Sequence, residues 1–138
     1  MLFHIPIEQY ETRYTADWVQ QYEREFKNRG IIFETILGDR TTSVLEAGAV
    51  LDACGTNLYK MSQLTKILNM INNGKVKDGD VFFFSDLWFP GTESLFYIRN
   101  LTKIAFKIVG VLHAGTYDCW DFTSMNGMRR WGKHLERC

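Results

Sequence analysis

The stretch Asp80–Gly115, DVFFFSDLWFPGTESLFYIRNLTKIAFKIVGVLHAG, decides the fold. Val81–Phe84 is a short, almost purely apolar run, the pattern of a strand buried on both faces of a parallel sheet. Pro90 and Gly91 break the chain, after which Thr92 or Glu93 opens a helix with a side-chain cap and a favourable first-turn charge. Leu95, Phe96, Ile98 and Leu101 then recur at helical spacing, and Phe106–Leu112 reads as the next strand. The unit is strand–helix–strand. Its strands end on polar groups, Ser85-Asp86 and His113. Ligands of open parallel sheets bind outside the carboxyl ends of the strands, so Asp86 and His113 are expected on one rim.

Working outward, Leu2–Ile7 reads as a first strand, apolar apart from His4, and Glu8–Arg13 as a polar loop. Thr15 is expected to cap a helix from about Ala16 to Arg29, with Trp18, Val19, Tyr22 and Phe26 on one face. Tyr14 and Val19 stand at hydrophobic-staple positions, and Gly30 ends the helix. Ile31–Leu37 is a β-branched strand. Residues 38–55 are the least decisive: Val44–Leu45 and Ala49–Leu51 fit a small hairpin or flap, or equally a short extra strand and loop. Leu58, Met61, Leu64, Leu68 and Ile71 place a helix over Asn57–Ile71. Thr116–Phe122 is a loop, and Met125, Met128, Trp131 and Leu135 predict a last helix from Thr123 onward. This alternation specifies an α/β fold: a Rossmann-like, doubly wound parallel sheet of about four strands with helices on both faces, one domain over 1–138.

At 138 residues, with 46% hydrophobic and 23% charged residues, the chain can bury a real core. The formal net charge of zero gives no global attraction to nucleic acid or anionic membrane. No apolar run approaches the roughly 20 residues of a membrane span. The start, MLFHIPIEQ, lacks the basic region of a secretory signal. Cys54, Cys119 and Cys138 are odd in number and form no CxxC pair, which points to a reducing, cytoplasmic setting and away from zinc. No stop signal precedes Cys138, the pattern of a chain cut there.

Cofactor motifs are absent. There is no GxGxxG, no GxxxxGK[ST], no GxSxG and no HExxH, so neither cofactor nor metal is implied. His113 is the leading candidate: it ends a strand, precedes the small residues Ala114 and Gly115, and is of the residue type suited to act as a general base near neutral pH or to orient a sugar hydroxyl. The competing reading is a histidine bonded to loop backbone. Asp86 is either a rim carboxylate or a turn residue, and Glu93 either a rim carboxylate or a first-turn helix charge; in both cases the structural role is favoured. Arg13 and Tyr14 either line the cleft or position the first helix. Tyr117, Trp120 and Phe122 are either a stacking platform for a sugar or base, or, as is commoner for such aromatics, packing or an interface with something missing from this chain. Arg129, Arg130, Lys133, His134 and Arg137 make the last helix basic, explained by a solvated face.

The stretch from Asp80, continued through GTYDCWDFTSMNGMRRWGKHLE, resembles the amino-terminal domain of GT-B glycosyltransferases, more specifically phage-type members. The likeness lies in a strand opening on Asp80-Val81, a short polar loop, a helix, and a strand ending in His113. It implies the acceptor-side half of a two-domain enzyme whose missing carboxyl-terminal half binds the nucleotide-sugar donor. His113 matches the strand-ending histidine that reaches the transferred sugar or acceptor, and Asp86 falls near a loop that faces the cleft in some members. GT-B chemistry generally needs no bound metal. A typical member is more than twice this length, so the chain is expected to be a fragment or stand-alone half, inactive alone, in the host cytoplasm if phage-encoded.

Two further readings stay open. One is a stand-alone, flavodoxin-like nucleoside deoxyribosyltransferase using Asp86 and Glu93. The other is a non-enzymatic phage protein whose segment Trp120–Arg137 binds a partner or nucleic acid. A missing partner domain would expose apolar surface that a second copy could cover as a homodimer.

Overall fold

The computed structural model of the chain describes residues 1–11, 13, 15–40, 52–121 and 123–137. Four parallel strands, β1 (Leu2–Ile5), β2 (Phe33–Thr35), β3 (Val81–Phe84) and β4 (Lys107–Gly110), form one sheet in the order β2-β1-β3-β4. They alternate with helices α1 (Trp18–Asn28), α2 (Ala53–Asn72) and α3 (Thr92–Thr102); a π-helical turn, Ser124–Met128, leads into α4 (Arg129–Leu135). This is the α/β, Rossmann-like doubly wound arrangement the alternation predicts. The proposed hairpin at Val44–Leu45 and Ala49–Leu51 lies outside the described residues.

Side chains alternate across the sheet because strand residues point to opposite faces in turn. Phe3 pairs in register with Phe82, and Ile5 with Phe84. These four meet Ile67 and Ile71 of α2, Leu95 of α3 and Phe106 in one buried cluster. The intervening residues His4 and Phe83 face the other way, against Tyr22 and Phe26 of α1. From β1 the chain winds outward to β2, then crosses back over β1 to β3. The carboxyl ends of β1 and β3 therefore flank the topological switch point, where such sheets leave a crevice.

Several boundaries differ from the sequence reading, each for a local reason. β2 and β4 are shorter than Ile31–Leu37 and Phe106–Leu112 because ladder length follows the four-residue partners β1 and β3. Single bonds continue past the ends, from Ile36 N–H to the His4 carbonyl (2.8 Å) and from Val111 N–H to the Phe84 carbonyl (3.1 Å). Thr15 does not cap α1: Asp17 is the cap residue, and the Thr15 hydroxyl donates to the Glu8 carbonyl. Nor does Thr92 cap α3; Gly91, at φ 113°, takes the cap position, and Thr92 donates to the Phe89 carbonyl. Glu93 does supply the first-turn charge and accepts from Gly91 N–H. The last helix is split, its first turn being π-helical.

The largest correction concerns α2. Its cap is Asp52, whose carboxylate accepts from Cys54 N–H, so Gly55 is inside the helix rather than before it. The predicted apolar face is also rotated: Leu58 is 61% exposed and Met61 37% exposed. Ile71 of the predicted face is buried, and with it are buried Thr56, Tyr59, Lys60, Gln63 and Ile67. The first half of this inward face is polar because it lies over the carboxyl edge of the sheet, where strand carbonyls still need donors. Gln63 Nε2 donates to the carbonyls of Pro6 (2.8 Å) and Ile36 (2.9 Å), and Lys60 Nζ to that of Trp88 (2.6 Å).

Candidate functional site

The carboxyl edge carries two groups of polar side chains, one on each side of the β1 terminus. The first centres on Ser85, the fully buried residue that follows β3. Its hydroxyl shares a 2.8 Å hydrogen bond with Nε2 of His4, and its carbonyl accepts a 2.8 Å bond from Nε2 of His113. A carbonyl can only accept, so His113 carries its proton on Nε2. In the neutral ring, Nδ1 is then the acceptor. The ring lies 4.4 Å from that of Trp18 in the first turn of α1. His4 differs: it is fully buried among the rings of Tyr22, Phe26 and Phe83. Burial lowers its pKa from 6.5 to about 4 against the opposing pull of the Glu23 carboxylate, so it is neutral at physiological pH.

The second group lies between the ends of β1 and β2 and the first turns of α2. A cleft of about 260 Å³ is lined there by Glu8, Gln9, Tyr10, Leu37, Gly38, Arg40, Gly55 and Tyr59. Glu8 is 8% exposed, and one of its oxygens accepts from the Thr56 hydroxyl. The other, Oε2, is buried and has no hydrogen-bond partner among the described residues. Tyr10 and Thr56 stand beside Glu8 in the same part of the cleft. Burial, reinforced by the Glu8 carboxylate, raises the pKa of Tyr10. Burial likewise raises that of Tyr59, with Gly38 and Arg40 opposing.

The residues singled out from sequence fall in different places. His113 sits on the rim beside Ser85 as described. Asp86 accepts from Trp88 N–H at 3.0 Å, closing a local turn, the structural role favoured above. The Arg13 guanidinium lies 5.6 Å from the Tyr10 ring centre, next to the cleft. Tyr14 and Phe122 lie outside the described residues. At Gly115 a Cβ would meet nothing within 4 Å, so the space beside it is open. The Tyr117 ring is covered by Lys133 Nζ at 4.8 Å, while Trp120 is 83% exposed. Sequence reasoning missed Glu8, Thr56, Lys60 and Gln63. Glu8 carried a signal: it follows the first strand as Asp86 follows β3. Among the described residues, no group of three or more metal-ligating side chains is brought together, and no helix is long and apolar enough to cross a membrane.

Compared with protein-family models, curated proteins and solved structures, the chain matches none.

Proposed function

We propose that the chain is the acceptor-side half of a nucleotide-sugar-dependent glycosyltransferase of the GT-B type, joined in action to a donor-binding domain. The observation that carries this reading is His113, held at the end of β4 by the Ser85 carbonyl with Nδ1 left as its acceptor. In the proposed reaction an acceptor hydroxyl attacks the anomeric carbon of the donor sugar. Its proton passes to His113 Nδ1, and the bond to the nucleoside diphosphate breaks, that group leaving with the electron pair. The exposed Leu112, Trp120, Met125 and Trp131 after β4 support a covering partner domain.

The test uses the complete reading frame containing this chain and measures nucleoside diphosphate release from a panel of nucleotide sugars with carbohydrate acceptors. General-base catalysis contributes about 10²–10⁴-fold, so His113→Ala should slow transfer by that order. Asp86→Asn, which alters a turn, should stay within a few fold. Unchanged turnover in His113→Ala removes the histidine from the mechanism, and no release from any donor overturns the reading.

The strand order favours a second reading. β2-β1-β3-β4 is the flavodoxin-like order, which also suits a nucleoside deoxyribosyltransferase. Asp86 and Glu93 are engaged in a turn and a helix start, so a carboxylate nucleophile would have to be Glu8. Base exchange between free nucleosides, lost in Glu8→Ala, would select this alternative.

A further inference from the structure

Apart from His113, the carboxyl edge of the sheet carries the cleft over Glu8. We propose that it binds a neutral polyhydroxylated ring, a single sugar unit, with a ring hydroxyl donating to Glu8 Oε2. The inference concerns binding alone and does not depend on sugar transfer.

Three observations define the ligand. First, a buried carboxylate oxygen without a donor is costly, and a ligand that brings one recovers that cost. Glu8 Oε2 is such an atom, in a side chain more than nine-tenths buried that lines the cleft. A carboxylate only accepts, so the ligand must present O–H or N–H. The Thr56 hydroxyl engages the other oxygen and orients the group.

Second, charge selects against ions of either sign. Arg40 lines the same cleft, and the amino-terminal end of α2, with its partial positive charge, opens at Gly55. Both repel an ammonium group. Glu8 repels an anion. A neutral ligand rich in hydroxyl donors meets neither penalty, and O–H bonds to a carboxylate are among the short, strong ones.

Third, size and shape favour one ring. Sites for drug-sized ligands run from about 300 to 1,000 Å³, and this cleft holds about 260 Å³. That admits a single ring and excludes a dinucleotide. Tyr10 and Tyr59 supply aromatic surface for the C–H face of a sugar, and Gly38 and Gly55 contribute no side chains to the walls.

The experiment follows backbone amide resonances of the protein during titration with methyl glucoside, methyl galactoside, N-acetylglucosamine and ribose. The expected result is saturable, millimolar binding of at least one of them, with shifts at Gly38, Gly55 and Thr56. Glu8→Gln keeps the oxygen that accepts from Thr56 and turns the free acceptor into a donor, so affinity should fall about tenfold or more. Should Glu8→Gln fail to fold, the exposed substitution Arg40→Trp, which fills the cleft from its rim, should abolish the shifts. His113→Ala should leave them unchanged whether or not it stops transfer, so the two readings fail separately. Absence of shifts with every sugar, equal affinity in Glu8→Gln, or shifts with cyclohexylamine but not with sugars would each overturn the proposal.

Discussion

Between pH 7 and pH 5, acidification should destabilise this protein through the buried His4. The ring is fully buried, with Nε2 bonded to Ser85 and three aromatic rings around it, and it stays neutral down to about pH 4. In the unfolded chain the same histidine titrates near 6.5. Between these values the unfolded state binds a proton that the native state refuses. Stability therefore falls as pH drops through that window and is insensitive to this group above it. The gap between 6.5 and about 4, at about 1.4 kcal/mol per pH unit, corresponds to about 3 kcal/mol in full. About 2 kcal/mol of it should be lost between pH 7 and pH 5. Asp80 and Asp121 act in another window. Burial alone would raise Asp80, but bonds from the Met1 amine and Lys77 N–H outweigh it; bonds from Thr123 lower Asp121. Their stabilisation is present above the ordinary carboxyl range and disappears only below it. Urea unfolding of the native chain and of His4→Asn at pH 7, 6 and 5 isolates the histidine as a difference in pH dependence, whatever the variant's baseline stability. Parallel losses in the two proteins, or a His4 ring resonance titrating near 6.5, would refute the reasoning.

Two further substitutions probe the supports of the rim. Gln63→Leu leaves the buried carbonyls of Pro6 and Ile36 without their donor and should cost about 2 kcal/mol in urea unfolding; a neutral outcome would mean water replaces the amide. Gly132→Ala puts a methyl group into Thr116 and the Trp88 ring. It should lower stability by about 1–3 kcal/mol and alter tryptophan fluorescence, and an unchanged spectrum would show that α4 does not dock against Trp88.

How much of this was legible depended on what each segment does. Val81–Phe84 and Phe106 could be read because both faces of β3 are covered and the apolar run says so directly. α2 could not be read the same way. Counting hydrophobic residues at helical spacing selected Leu58 and Met61, whereas Thr56, Lys60 and Gln63 face inward, since donors are what the end of a sheet requires. A polar residue at i, i+4 and i+7 gives no hydrophobic signal. Thr15 misled for a related reason: its hydroxyl serves the Glu8 carbonyl rather than the helix. His4 was noted only as an exception in an apolar strand, because its partner Ser85 is 81 positions away in sequence.

Among the described residues, Glu8 Oε2, Gln63 Oε1 and Nδ1 of His4 are all buried without a hydrogen-bond partner, and all three gather at the end of β1. His4 belongs to that strand, Glu8 follows it, and Gln63 donates to the intervening Pro6 carbonyl. Each such atom costs on the order of 1–3 kcal/mol. Gln63 Oε1 is the by-product of aiming the amide nitrogen at two carbonyls, and Nδ1 of His4 that of a ring enclosed by aromatics. Those two costs belong to the fold. Glu8 is different, because a glutamine there would still accept from Thr56 without burying an unpaired charge, and its free oxygen belongs to a residue that lines an open cleft. That free oxygen, at the carboxyl edge of the sheet between β1 and β2, is the acceptor on which the proposed sugar site depends.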